Sequence, residues 1–123
     1  MSEKVIMHVE DNEYNRKIVR DLLSRSNYVL VEAHDGEAAL DALTRQRPDL
    51  ILMDVQLPKL SGLEVIRRIR ADPALTQVPV IAITSFALSG DDQRALEAGS
   101  NAYIPKPFRP RELLEMIRSF IGP

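Results

Sequence analysis

Five times along 123 residues, a short apolar run rich in β-branched side chains is followed by an amphipathic stretch. The runs that read as strands are Lys4 to Glu10, Tyr28 to Ala33, Asp49 to Asp54, Val78 to Thr84 and Ala102 to Pro105. Between them Tyr14, Ile18 and Leu22 fall at spacing four, as do Val19 and Leu23, which predicts a helix face. Leu40 with Leu43, Ile66 with Ile69, and Leu113, Leu114, Ile117, Phe120 and Ile121 repeat the pattern. Parallel strands need crossover connections, and those crossovers are right-handed, so five such units predict an α/β domain: a five-stranded parallel sheet with helices on both faces.

Turn residues keep the same register. Asp35-Gly36, Ser61-Gly62 and Gly90-Asp91 stand before the second, third and fourth helices, and Gly99 is placed to end the fourth. Pro110 suits the first turn of the last helix, although Arg109 is a poor N-cap. Asn12 reads as a turn residue or a cap. The length suits one domain, 1–123, with no linker or repeat inside it. There are no cysteines, so disulfides and thiolate metal sites are excluded. Sixteen basic against eighteen acidic residues, with no Lys/Arg run, argue against nucleic acid as a partner. No apolar stretch approaches the ~20 residues of a membrane span, so a soluble, cytoplasmic protein is expected. The last helix runs almost to Pro123, and no output domain is expected after it.

Asp54 ends the third apolar run, Leu50-Ile51-Leu52-Met53, while Glu10 and Asp11 follow the first, and Lys106 stands before Pro107 after the fifth. In a parallel sheet these positions share the carboxyl edge, so acids distant in sequence converge on one crevice. Clustered carboxylates repel, and a hard divalent cation is the usual remedy.

These residues resemble the receiver domain of two-component response regulators. The likeness covers essentially the whole chain. It rests on Val9-Glu10-Asp11-Asn12, the stretch from Ala33 to Leu40, Leu50 to Pro58 with Ser61-Gly62, Pro79 to Thr84, and Tyr103 to Phe108. Among receivers the chain is similar to the stand-alone, cell-division type. The resemblance implies a flavodoxin-like sheet of order 2-1-3-4-5, which puts Pro105 at the end of an edge strand, where its missing N–H does no harm.

The resemblance also implies roles. Asp54 would accept a phosphoryl group from a phosphohistidine on a kinase or phosphotransfer protein, in a reaction that asks the protein for an in-line nucleophile and charge stabilisation. Mg²⁺ would be held by Asp11 directly, by Glu10 through water, by Asp54 and by the backbone carbonyl of Gln56, whose side chain need not matter. Lys106 would pair with a phosphoryl oxygen, aimed by a cis peptide to Pro107. Thr84 and Tyr103 would form the switch, the hydroxyl moving to the phosphoryl group and the ring into the vacated space. Such a domain regulates rather than metabolises, catalysing only its own phosphorylation and dephosphorylation. A downstream protein would dock on the fourth helix, fifth strand and fifth helix, where Arg94, Arg109, Arg111 and Arg118 lie and Met116 stands off the apolar stripe; a monomer or weak dimer is expected.

Rival readings leave marks of their own. A phosphatase forming an aspartyl-phosphate would carry a second acid two residues after the nucleophile, where Gln56 stands. An interaction module without phosphorylation would have lost Asp11, Asp54 or Lys106. Flavin phosphate would be repelled by Glu10-Asp11-Asn12-Glu13. Taken singly, Asp54 could be a loop cap, Thr84 a strand residue and Tyr103 static core. His8 departs from the aliphatic residue usual in this family and reads as a neutral core histidine, with pH sensing as the alternative. Ser85 is small enough to leave Asp54 accessible, and Phe86 is bulky enough to shield a phosphoryl group from water.

Overall fold

The computed structural model describes residues 3–85 and 90–123, so Phe86, and the shielding expected of it, lies outside the described residues. The chain alternates β1 (Val5–Val9), α1 (Glu13–Leu23), β2 (Val29–Ala33), α2 (Gly36–Leu43), β3 (Leu50–Asp54), α3 (Gly62–Ala71), β4 (Val80–Thr84), α4 (Asp91–Ala98), β5 (Ala102–Pro105) and α5 (Pro110–Ile121). All strand pairs are parallel, in the order β2-β1-β3-β4-β5. The first four strands begin one or two residues inside the sequence-predicted runs, and β5 coincides with its run.

Strand alternation divides the core in two. Met7, Val9, Ile51, Met53 and Ala82 face one layer, where they meet Ala39, Val65, Ile66, Ile69 and Ala95 of α2, α3 and α4. Ile6, Leu52, Ile81, Ile83 and Ile104 face the other, against Val19 and Leu23 of α1 and Leu113 and Ile117 of α5. β3 and β4 are buried on both faces, which is why they read as continuous apolar runs.

Helix starts follow their caps. The side chains of Asn12, Asp35 and Ser61 accept from the backbone N–H groups of Asn15, Ala38 and Glu64, each worth about 1 kcal/mol. Arg109 contributes no side-chain cap; instead the Glu112 carboxylate accepts the Arg109 N–H at 3.3 Å. Gly99, at φ 119°, supplies the left-handed turn that ends α4.

Two faces differ from the sequence reading. Tyr14 is 72 % exposed, because the stripe of α1 that meets the sheet is Arg16, Val19 and Leu23, with Ile18 and Leu22 on its flank. Phe120 is likewise exposed, since α5 buries its Leu113–Ile117 line. Met116 packs partly buried against the α1/α5 core rather than standing free. Arg111 and Arg118 line a groove with Leu22 of α1, so they belong to the α1 side of α5.

Candidate functional site

The carboxyl edge of the sheet collects the charged residues. β1 ends into Glu10 and Asp11, β3 ends on Asp54, and β5 leads into Lys106. Glu10, Asp11 and Asp54 each offer a carboxylate oxygen, all within 4.8 Å of one another. Lys106 Nζ lies 3.0 Å from Glu10 Oε1 and 3.3 Å from Asp54 Oδ2. The peptide between Lys106 and Pro107 is cis, as the resemblance implied.

Backbone groups hold this arrangement. The Gln56 N–H donates to Asp54 Oδ1 at 3.0 Å, and the Asn12 N–H donates to Glu10 Oε2 at 3.3 Å. Gly62 closes the turn after β3: a Cβ there would lie 2.0 Å from the Asp54 carbonyl oxygen and 2.8 Å from Val55 Cα. Only glycine lets the start of α3 come so close to the strand that carries the carboxylate.

Arg16 is a member of the site that the sequence reading missed. Buried under the β1–α1 loop, it donates to the Glu10 carbonyl at 2.9 Å and to Glu13 Oε2 at 2.6 Å. Its place three residues before Val19 and seven before Leu23 was the available signal. The Gln56 side chain, expected to be idle, accepts a hydrogen bond from the Ser85 hydroxyl at 2.9 Å.

The electrostatics are unbalanced in one direction. Glu10 and Asp54 are 1 % and 3 % exposed, whereas Asp11 is exposed. Burial, then the nearby Asp54 carboxylate, pushes the Glu10 pKa up, against the pull of Lys106. Burial alone would lower the Lys106 pKa, but attraction to Asp54 and Glu10 overrides it and the net shift is upward. Two like charges near 5 Å repel by on the order of 3 kcal/mol at an effective dielectric of 20, so one ammonium among three carboxylates leaves a surplus close to that of a divalent cation's charge. The donors are all hard oxygens, and the set fits Mg²⁺, which needs few protein ligands.

Thr84 ends β4 fully buried, and its Oγ1 has no hydrogen-bond partner among the described residues. Tyr103 lies opposite Ala82 and Pro105 opposite Thr84, so Tyr103 and Thr84 sit one pleat apart on the same sheet face. Tyr103 is 36 % exposed, turned outward from the edge strand.

A doubly wound parallel sheet with acids and a lysine gathered at its carboxyl edge, beside a buried strand-end hydroxyl, defines a class of phosphorylation-dependent signalling domain. A family model of the response regulator receiver domain matches residues 6–118, and the chain belongs to that family. It is similar to the polar-differentiation response regulator DivK of Brucella anthropi, with 47 % identity over 119 residues that cover 97 % of each chain. Its fold matches the receiver domain of the sensor histidine kinase PA1611 of Pseudomonas aeruginosa, whose structure holds magnesium in the active-site cleft. The TM-score is 0.91 at 39 % identity, covering 99 % of this chain and 100 % of that one. It also matches the Mn²⁺-bound response regulator Rcp1, with a TM-score of 0.80 at 33 % identity over 94 % and 90 % of the two chains. The protein is therefore a two-component signalling regulator, of a family phosphorylated on aspartate and served by histidine kinases or phosphotransfer proteins. Among the described residues, no helix is long and apolar enough to cross a membrane.

Proposed function

We propose that this chain is a single receiver domain, residues 1–123, acting in the cytoplasm, and that Asp54 is its phosphoryl acceptor. The carrying observation is the ion-paired cluster: Lys106 bridges Asp54 and Glu10 while Asp11 brings a third carboxylate within 4.8 Å. An Asp54 oxygen attacks the phosphorus of a phosphohistidine, the P–N bond breaks, and the imidazole leaves. In hydrolysis, water attacks the phosphorus, the P–O bond to Asp54 breaks, and the carboxylate is restored. Both steps are the domain's own chemistry rather than turnover of a metabolite.

Mg²⁺, when bound, neutralises charge on the acids and on the phosphoryl oxygens. Asp11, exposed at the rim, is suited to direct ligation, Glu10 to contact through water, and the Gln56 backbone carbonyl to a further ligand position. Lys106 orients the phosphoryl group as a point charge. The Thr84 hydroxyl, without a partner among the described residues, gains an acceptor once Asp54 carries roughly −1.5 to −2 charge, and Tyr103, on the same face, follows it inward. The signal leaves through α4, β5 and the start of α5, where Arg94, Leu96, Tyr103 and Arg109 are exposed.

The test is direct. With acetyl phosphate and Mg²⁺, intact-mass spectrometry should show one phosphoryl adduct, lost in Asp54→Asn and in chelator. An adduct that survives Asp54→Asn would overturn the assignment.

A further inference from the structure

Asp11 is the one acid of the cluster whose side chain has no support of its own. It is exposed, and no hydrogen bond or ion pair holds it among the described residues, whereas Glu10 and Asp54 are buried and paired with Lys106. Its position is therefore set by the backbone around it, and most of that backbone is tied to one residue. The Arg16 guanidinium donates through Nη1 to the Glu10 carbonyl at 2.9 Å, and the Arg16 N–H donates to the Asn12 carbonyl at 3.0 Å. Between them, the Asn12 N–H goes to Glu10 Oε2. Arg16 thus grips the chain on both sides of Asp11.

The guanidinium is itself braced. Its other arm, Nη2, donates to Glu13 Oε2 at 2.6 Å; Glu13 accepts in turn from Arg20, and Arg20 pairs with Glu32 of β2 at 2.9 Å. The fork links the loop that carries Asp11 to α1 and to the edge strand. Stability alone does not select this arrangement. Arg16 is 6 % exposed, stands on the buried stripe of α1 with Val19 and Leu23, and its Nε has no partner among the described residues. An apolar residue of similar volume in place of a buried ion pair is often neutral or stabilising. Charge does not select it either, because a cation near a divalent-metal site opposes the metal. We propose that Arg16 is a positioning residue for Mg²⁺: its fork pre-forms the backbone from Glu10 to Asn12, so that the Asp11 carboxylate stands ready to ligate and the loop need not be ordered when the ion arrives. The proposal rests on reading the acid cluster as the Mg²⁺ site of an Asp54 phosphoacceptor, and adds to it a residue outside that cluster.

Mg²⁺ titrated into the full chain without phosphate, and followed by the amide NMR shifts of Asp11 and Gln56, measures the affinity directly. Arg16→Met keeps an unbranched stem and removes the fork. It should weaken Mg²⁺ binding roughly tenfold, as the loss of an outer-shell partner does, while the urea midpoint holds or rises. At saturating Mg²⁺ its initial rate of phosphoryl adduct formation from acetyl phosphate should match that of the natural chain, since only the binding of the metal is impaired. Arg16→Lys keeps the charge but cannot span both acceptors. It should weaken Mg²⁺ binding roughly threefold for the loss of one hydrogen bond, and it serves if Arg16→Met does not fold. Unchanged or tighter Mg²⁺ binding in Arg16→Met, unchanged binding in Arg16→Lys, or an adduct rate that stays low at saturating Mg²⁺ would each overturn the proposal. A loss of affinity matched by a loss of stability would overturn it in favour of a structural brace. Asp11→Asn tells the two readings apart. Affinity that survives Asp11→Asn would overturn the acid cluster as the metal site and the role of Arg16 with it, whereas affinity lost in Asp11→Asn but kept in Arg16→Met would overturn the role of Arg16 alone.

Discussion

The two edges of the sheet are built on opposite principles. At the amino edge no buried side-chain polar atom among the described residues lacks a partner. Arg70, at the end of α3, donates to the carbonyls of Leu75, Thr76, Val78 and Gly99 and to Asn101 Oδ1. Asn101 also accepts the Val80 N–H, Asp49 accepts the Val5 N–H, and the Ser100 hydroxyl donates to the Val80 carbonyl. At the carboxyl edge three carboxylates crowd one ammonium, the Thr84 hydroxyl has no partner among the described residues, and His8 sits neutral below them. One edge ties loops to strands. The other holds charge and open valences that a metal ion or a phosphoryl group can satisfy, at some cost to the resting state.

That contrast is most open to attack at Arg70. Arg70→Ala strips five acceptors at the amino edge and should cost about 3 kcal/mol in urea unfolding, since net hydrogen bonds are worth about 1 kcal/mol each and do not add fully. Phosphoryl uptake at Asp54 should be unchanged where the variant is folded. A loss of uptake without a loss of stability would show the two edges are not independent.

His8 tests the carboxyl edge through pH. Its folded pKa is depressed from 6.5 to about 3 by burial, then by Lys106 and Arg16, so the unfolded chain binds a proton the folded one refuses. Its contribution is fully present above pH 6.5 and is lost progressively as pH falls toward 3, at up to about 1.4 kcal/mol per pH unit. Between pH 6.5 and 4.5 that slope amounts to about 2 kcal/mol. His8→Val should flatten the stability profile in this window; an unchanged slope would place the acid sensitivity elsewhere.

Glu10 works in the other direction. Its raised pKa means that the ionised form costs stability above the folded pKa, and that stability returns as pH falls through that value. Glu10→Gln should therefore raise metal-free stability at pH 7 by about 1 kcal/mol, while Mg²⁺ raises its melting temperature less than that of the natural chain. A destabilised Glu10→Gln would show that the Lys106 pair outweighs the repulsion.

The smallest thermodynamic effect belongs to Thr84. Thr84→Val replaces a hydroxyl that has no partner among the described residues with a methyl of similar shape, so stability should change by no more than about 0.5 kcal/mol. The adduct at Asp54 should still form. Phosphorylation-dependent amide shifts at Tyr103 and Arg94 should shrink, and full shifts in this variant would separate Thr84 from the output surface.

Legibility followed how local each determinant is. β3 and β4 were readable because strands buried on both faces must be apolar throughout, and α2 and α3 because Asp35 and Ser61 cap them in sequence. Asp54, Glu10, Asp11 and Lys106 were readable because each stands where an apolar run ends. Tyr14 and Phe120 misled because helical spacing marks a stripe without saying how far that stripe extends beyond the sheet. Arg16 was hidden by its charge: its buried guanidinium is explained by the Glu10 carbonyl above it, which helix periodicity alone does not reveal.

From its order of residues alone, then, this chain determined its alternating elements, its parallel sheet and the four charged positions that meet at one edge, because period, turn chemistry and strand ends are local properties. Tertiary structure decided the rest. The Lys106 ammonium lies 3.0 Å from Glu10 across 96 residues, Gly62 is pressed against the Asp54 carbonyl, the Ser85 hydroxyl bonds Gln56, and the buried His8 ring has no partner among the described residues. Each of these depends on how separate elements approach in space, and hydrogen bonds, charges and cavities change with distances that no periodicity in the sequence records.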